Sequence, residues 1–182
     1  MESASADGSR KVNLFQGEFY VSNDPNVVVT TILGSCVAAC IRDPLAGVGG
    51  INHFLLPGNF DDPRTPRNDY VGVHLMELLI NGLLREGARR DRLEAKLFGG
   101  GRTMEGLTDI GSLNAGFAAK FLEVEGIATK LGSLGGAHGR RIQFWPVSGR
   151  VRQILISPTE TREVPFRPSV AIKSNAGDLD LF

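Results

Sequence analysis

Residues 30–57 read TTILGSCVAACIRDPLAGVGGINHFLLP, and this stretch holds both cysteines and one of the three histidines of the 182-residue chain. The apolar runs on either side of the glycine-rich segment 43–50 are rich in β-branched and small residues and are too short for independent helices. They predict two strands joined by a turn. Cys36 then opens the first strand and His53 lies in the second, so we expect the chemistry of the protein in this hairpin.

A cysteine and a histidine are the smallest set of side chains that can carry out acyl transfer through a thioester. A free thiol with a pKa of about 8.5 is mostly protonated at neutral pH, whereas a neighbouring imidazole can take its proton and later return it to a leaving group. A third group must orient the ring. Thr30 and Thr31 lie just upstream of Cys36, and because neighbours on a strand face opposite ways, only one of them can point at His53.

Counting along the hairpin predicts where the pair lies. If the chain reverses at residues 44–45, antiparallel partners have numbers that sum to 89, which places Cys36 directly opposite His53. The glycines that follow the reversal favour a longer loop or a bulge. A shift of the sum by two keeps the pair diagonal on one face, whereas a shift by one separates the two residues onto opposite faces.

A cysteine in an apolar strand is usually a core residue, and this alternative applies to both cysteines. Cys40 fits it better, since it lies inside the apolar run VAACI at 37–41. A disulfide is not expected, because residues four apart on an extended strand are separated by about 13 Å. Two cysteines and one nearby histidine are also too few for a structural zinc site, and no metal site is predicted.

A series of separated motifs runs through most of the chain. They are LGSCV at 33–37, DP at 43–44, GG at 49–50, His53, LP at 56–57, KLFGG at 96–100, IG at 110–111 with Asn114, GG at 135–136 with GR at 139–140, and SG at 148–149 with Val151. In this order and approximate spacing they resemble the chemoreceptor glutamine deamidases, the CheD family of bacterial chemotaxis.

The resemblance implies a set of site residues. In the family a cysteine is the nucleophile, a histidine is its base, and a threonine six residues before the cysteine completes the triad, which correspond to Cys36, His53 and Thr30 here. The glycine run at 99–101 lacks the Lys-Ser/Thr ending of a phosphate loop and is interpreted as a tight wall of the site. The expected supporting or cleft residues are Gly34, Ser35, Gly99, Gly100 and Arg140.

The function that the resemblance implies is hydrolytic deamidation of glutamine side chains in the cytoplasmic helices of chemoreceptors. The reaction passes through a cysteine thioester, releases ammonia and needs no metal or organic cofactor. A CheC-type chemotaxis phosphatase is a further expected partner. Two alternatives stay open: a binding module that chiefly regulates such a phosphatase, or another cysteine hydrolase with transglutaminase-like or peptidase-like chemistry.

Composition excludes several other classes of protein. The 20 basic and 20 acidic residues cancel, which gives no electrostatic footprint for nucleic acid or an anionic membrane. The longest uncharged stretch ends at Ile41, is short for a membrane span and contains polar residues. The N-terminal sequence MESASADGSR lacks the pattern of a signal peptide. We therefore expect a cytoplasmic protein without membrane insertion and with reduced thiols.

The remaining patterns predict strands interrupted by two helices. Residues 12–21 read as a first strand, 68–87 and about 109–122 as helices, and 141–144 with 150–156 as a second hairpin. Residues 1–10 are expected to be disordered, 11–157 to form the deamidase domain, and 158–182 to be an extended or disordered tail. With the resemblance, the expected fold is a single α/β domain with layered mixed and antiparallel β-sheets and two helices packed on one side.

Overall fold

The computed structural model describes residues 2–4, 8–56, 69–102, 109–130 and 132–156, so the expected tail at 158–182 lies outside the described residues. The strands are β1 (Glu2–Ala4), β2 (Arg10–Asn13), β3 (Glu18–Ser22), β4 (Val27–Leu33), β5 (Val37–Asp43), β6 (Val48–His53), β7 (Glu94–Gly99), β8 (Ala128–Thr129), β9 (Ser133–Leu134), β10 (Gly139–Trp145) and β11 (Arg150–Ile156). The helices are α1 (Tyr70–Arg85) and α2 (Ile110–Val124), and a 3₁₀ turn spans Arg90–Arg92.

Two sheets and two helices form three layers. The first sheet has the strand order β1-β2-β4-β10-β11, and the second has the order β3-β6-β5-β7-β8, with β9 also paired to β7. Strand β2 pairs parallel with β4, and β7 pairs parallel with β8 and β9, while the other pairings are antiparallel. This arrangement confirms the expected α/β fold of mixed, layered sheets with both helices on one side.

Strand β5 separates two hydrophobic cores because its side chains alternate between its faces. Val37, Ala39 and Ile41 pack in the core beneath the helices. Cys36, just before the strand, and Cys40 pack in the core between the two sheets. The burial of every residue of β5 and β6 except the half-buried Arg42 follows from this position, since both faces of the central strands are covered.

Both predicted helices form close to their predicted bounds. Helix α1 begins after its N-cap Asp69 and ends shortly before Gly87, whose φ of 94° is in the left-handed region that favours glycine. Helix α2 is capped by Asp109, whose side chain accepts a hydrogen bond from the backbone N–H of Ser112. In both cases the start was readable from a capping residue followed by an apolar stripe at helical spacing.

The β5–β6 hairpin closes with a longer loop than a two-residue turn. Asp43 pairs with Val48, and its carboxylate accepts hydrogen bonds from the backbone N–H groups of Leu45 and Ala46 inside the loop. Paired residues therefore have numbers that sum to 91, as in the pair Cys40 and Ile51. The sum differs by two from the idealised count, which leaves every side chain on its predicted face.

Two segments differ from the sequence-based prediction. Residues 12–21 form the end of β2 and most of β3, which belong to different sheets, and the connection between them turns the chain from one sheet to the other. The loose apolar alternation of this segment did not reveal the break. Glu2–Ala4, within the segment expected to be disordered, pairs with β2 at the sheet edge; backbone hydrogen bonds can extend an edge whatever the side chains are.

Candidate active site

Cys36 lies where the chain crosses from one sheet to the other. Strand β4 ends at Leu33 in the first sheet and β5 begins at Val37 in the second, so residues 34–36 form a sharp elbow between the layers. The three elbow carbonyls all accept hydrogen bonds: Gly34 from Gly101 N–H at 2.8 Å, Ser35 from the side chain of Asn114 at 3.1 Å, and Cys36 from Gly100 N–H at 2.7 Å. The backbone of the elbow is thereby fixed.

Gly99 and Gly100 provide the wall against which the elbow packs. Their φ angles of 108° and 63° are in the left-handed region. A Cβ atom on Gly99 would lie 2.1 Å from the carbonyl oxygen of Cys36, a distance that no side chain can occupy. The close approach predicted for the glycine run is thus made to the backbone of Cys36 itself.

Asn114 is the residue on the helix side that fastens the elbow. It is fully buried in α2. Its side-chain oxygen accepts from the backbone N–H of Leu56, and its amino group donates to the carbonyls of Ser35 and Ile110. The sequence offered a signal for this role, an amide on the inner face of an otherwise apolar helix, but it did not by itself indicate what the amide would bind.

Cys36 and His53 face the same space between the sheets. Val37 and Phe54, their neighbours in sequence, form an antiparallel bridge with backbone hydrogen bonds of 3.0 and 2.9 Å. Cys36 and His53 are therefore diagonal neighbours on one face of the hairpin, an arrangement in which long side chains reach each other. Both residues are buried, with 9% and 5% of their surface exposed.

The hydroxyl of Thr31 orients the imidazole ring. Its Oγ1 atom lies 2.9 Å from Nδ1 of His53 and 2.8 Å from the carbonyl oxygen of Leu14. A carbonyl can only accept, so the single hydroxyl proton goes to Leu14, and Oγ1 must accept a proton from Nδ1. His53 consequently carries its proton on Nδ1, which leaves Nε2, a buried atom without a hydrogen-bond partner among the described residues, as the basic nitrogen.

The contact expected for Thr30 is made by Thr31. Along β4, Thr31 is 3% exposed and lies on the side of Val29 and Leu33, which pack in the core between the sheets. Thr30 lies on the opposite side of the strand, because successive side chains alternate. The residue in contact with His53 is therefore Thr31, one position after the threonine that the resemblance implied.

Burial holds the imidazole in its neutral form. Desolvation lowers the pKa of His53 from 6.5 to about 4, and the hydrogen bond to the carbonyl of Leu14 opposes this shift only in part. The imidazole is therefore neutral near pH 7.

Gln16 completes the surroundings of the thiol. The Sγ atom of Cys36 donates a hydrogen bond to Oε1 of Gln16 at 3.4 Å. Gln16 lies in the connection between β2 and β3 and is exposed at the surface. Sequence reasoning missed it, because this segment was assigned to a continuous strand and is distant from Cys36 along the chain.

Arg140 lies behind the site rather than in it. Its buried guanidinium donates hydrogen bonds to the carbonyls of Ser133 and Gly135. Gly135 N–H in turn bonds to the carbonyl of Gly99. Burial lowers the pKa of Arg140. Its contacts support the loop that packs on the glycine wall.

Cys40 lies deeper than Cys36 in the core between the sheets. It is 3% exposed, and burial raises the pKa of its thiol far above the ordinary value. Neither cysteine is in a disulfide. Among the described residues, no group of three or more His, Cys, Asp or Glu side chains is placed to hold a metal ion. Neither of the two described helices has the length and apolar character to cross a membrane.

Comparison with known proteins identifies the family. Residues 55–153 match the family model CheD, described as CheD chemotactic sensory transduction. The chain belongs to the CheD family. A relative from Rhizobium johnstonii, named probable chemoreceptor glutamine deamidase CheD, is 59% identical over 96% of this chain and 97% of its own length. Relatives of the same name from Caulobacter sp. strain K31 and Agrobacterium fabrum are 56% and 55% identical, over 94% and 96% of this chain.

The CheD relatives confirm the resemblance drawn from the motifs. Their coverage of this chain is so nearly complete that it extends over the elbow and the hairpin, which precede the segment matched by the family model.

A crystal structure of a Neisseria meningitidis protein of family DUF152 is 11% identical, with a TM-score of 0.47 over 72% of this chain and 65% of that one.

Proposed function

We propose that this protein deamidates glutamine side chains of chemoreceptors to glutamate, with Cys36 as nucleophile, His53 as base and Thr31 as the group that orients the ring. Membership of the CheD family, whose relatives carry the name chemoreceptor glutamine deamidase, supports the reaction and the substrate class. The observation that carries the residue assignment is the hydrogen bond between Thr31 Oγ1 and His53 Nδ1, since it leaves Nε2 free to act as a base.

In the first half-reaction the sulfur of Cys36 bonds to the carboxamide carbon of the substrate glutamine. Nε2 of His53 takes the thiol proton as the C–S bond forms, because a neutral imidazole is ready to accept it. The imidazolium then gives this proton to the departing amino group. Ammonia leaves and a thioester between the glutamine carbonyl and Cys36 remains.

In the second half-reaction water attacks the thioester carbon. His53 accepts a proton from the water as the C–O bond forms, the C–S bond breaks, and the imidazolium returns this proton to the sulfur, which restores the thiol and the neutral ring. The substrate side chain leaves as a carboxylic acid that ionises to glutamate. The carbonyls of the elbow are held by hydrogen bonds from Gly100, Gly101 and Asn114, and this held backbone provides the preorganisation that the reaction needs.

A protein substrate fits the surface around the elbow. Large apolar side chains are exposed on two segments that carry site residues: Phe15 beside Gln16, and Leu134 beside Gly135. Exposed apolar groups of this kind are typical of surfaces that contact other proteins. We place the protein in the cytoplasm, where the receptor helices that carry the substrate glutamines lie.

Mass spectrometry tests the function directly. A purified chemoreceptor cytoplasmic fragment is incubated with the protein, and each converted glutamine should gain about 1 Da, because exchange of NH2 for OH adds that mass. Cys36→Ala should leave the fragment unchanged. A fragment that is bound but not converted by the wild-type chain would favour the alternative of a binding module.

A CheC-type phosphatase is the second partner that we propose, on the family resemblance. A partner that mimics the receptor surface would bind over or beside Cys36 and suppress deamidation by competition. The rate of receptor deamidation should therefore fall towards zero at saturating phosphatase. A complex that forms while the rate stays unchanged would contradict this blocking mode.

A further inference from the structure

Gln16 presents to the proposed nucleophile the same functional group that the substrate presents. Its Oε1 atom lies 3.4 Å from Sγ of Cys36. The sulfur belongs to a residue that is only 9% exposed, whereas Gln16 is at the surface. The amide of Gln16 therefore lies on the side from which a carboxamide from outside must approach the thiol.

The segment that carries Gln16, residues 14–17, is held at both ends by the residues of the site. The Leu14 carbonyl accepts the hydroxyl proton of Thr31, and Leu14 N–H donates to the carbonyl of Thr30 at 2.9 Å. At the other end, Gly17 N–H donates to the carbonyl of His53 at 2.7 Å. The backbone on either side of Gln16 is thus fixed to the proposed triad, and only its side chain can turn away.

The contact between Gln16 and Cys36 does not have the geometry of a carboxamide about to be attacked by the sulfur. A reacting carbon must come within about 3–3.5 Å of the nucleophile with the sulfur lone pair aimed at it. In the resting state the thiol instead donates its proton to Oε1, so the sulfur faces the oxygen with its hydrogen. Oε1 nevertheless fills the space that the substrate carbon has to enter.

We propose that the side chain of Gln16 occupies the carboxamide subsite in the resting protein, shields the Cys36 thiol, and must turn away when a receptor glutamine enters. Gln16 is then a positioning residue that lowers the reactivity of the Cys36 thiol and competes with the substrate. This inference rests on the proposed function for the identity of the substrate, but the shielding of Cys36 does not depend on it.

Alkylation by iodoacetamide measures the shielding without any receptor. Gln16→Ala should increase the rate of alkylation of Cys36 about five-fold, the factor carried by one neutral hydrogen bond of typical strength. Cys40 in the same molecule is the internal control and should stay unreactive. Gln143→Ala, which removes a glutamine on β10 opposite Thr30, is the matched control and should leave the rate at Cys36 unchanged.

Gln16→Glu keeps the size and shape of the side chain and serves if the alanine variant folds poorly. Its carboxylate should disfavour the thiolate and move the pH midpoint of Cys36 alkylation upward by about one unit. A purely structural role for Gln16 would not change this midpoint. An unchanged midpoint in Gln16→Glu, or an alkylation rate in folded Gln16→Ala within two-fold of wild type, would each overturn the proposal.

The kinetics of receptor deamidation distinguish failure of the proposed role of Gln16 from failure of the proposed deamidase function. With a receptor cytoplasmic fragment as substrate, Gln16→Ala should lower KM several-fold and leave kcat within about two-fold, because the occupant is removed and the reacting groups are retained. If wild type converts no receptor glutamine, the proposed function fails while the alkylation result still decides the shielding. A wild-type peptide in which Gln16 already carries the mass of glutamate would overturn the proposal, because Gln16 would then be a substrate.

Discussion

The two cysteines pack in the same core between the sheets, yet their polar contacts differ. Around Cys36 the chain brings together Thr31, His53 and Gln16, and the backbone turns sharply between two sheets. Cys40 packs with apolar residues such as Phe144, and burial raises the pKa of its thiol well above the ordinary value, against the opposing effect of Lys96, which is paired with it on β7. Both cysteines belong to one core, so the polar contacts of each are set by the segments that end beside it.

The sharpest test of this comparison is removal of each thiol in turn. Cys36→Ala should lower receptor deamidation by at least about a thousand-fold, because the covalent route is lost. Cys40→Ala should keep the activity within about three-fold and lower the free energy of unfolding by about 1 kcal/mol through a small cavity. Peptide mapping and denaturant unfolding measure the two effects. Equal loss of activity in both folded variants would refute the distinction.

A substitution in the glycine wall tests whether Gly99 and Gly100 fix the backbone of Cys36. Gly99→Ala places a Cβ atom against the Cys36 carbonyl at a φ of 108° and should lower the free energy of unfolding by about 3 kcal/mol. Gly116→Ala is the matched control, because a Cβ atom at this position meets nothing within 4 Å. This substitution should stabilise α2 by about 0.5–1 kcal/mol. Denaturant unfolding measures both variants. If Gly99→Ala were as stable as wild type, the backbone of the elbow would have to shift at little cost to accept the added Cβ atom.

The buried imidazole predicts a pH dependence of stability. The pKa of His53 is about 4 in the folded chain against 6.5 as the ordinary value, so the unfolded chain binds more protons between these values. The free energy of unfolding should therefore fall by about 3 kcal/mol as the pH is lowered from about 6.5 to about 4. Burial raises the pKa of Asp43, but the hydrogen bonds to its carboxylate outweigh this effect and lower the pKa to about 2. The contribution of Asp43 to stability is therefore lost only below about pH 4. His53→Gln should flatten the slope, and a slope that persists in that variant would assign it to another group.

The smallest expected effect distinguishes the two threonines. Thr31→Ala should lower kcat about ten-fold with little change in KM, because the ring loses the hydroxyl that fixes its tautomer and orientation. Thr31→Ser retains the hydroxyl and should recover most of the activity, and Thr30→Ala should stay within about two-fold of wild type. If Thr30→Ala were the damaging change, the assignment from the structure would fail.

Much of this site could be predicted before the structure was known. The hairpin, the two helices, the glycine wall and the placement of Cys36 and His53 on one face follow from local patterns: β-branched runs, capping residues and a period of two along each strand. The register was wrong by two, because the loop after Asp43 is longer than a two-residue turn. This error left the pair on one face, since a shift of two does not change which way a side chain points.

The sequence by itself determined that a thiol and an imidazole share one face of a hairpin, because the two strands are neighbours in the chain and alternation is a local property. Only the tertiary structure decided which threonine faces the ring, that Asn114 fastens the elbow, and that Gln16 meets the thiol. Each of these contacts joins segments from different layers, and no local pattern encodes how one layer is placed on another. The crossing of β4 onto the hairpin turns Thr31 inward, and the break between β2 and β3 brings Gln16 to the sulfur.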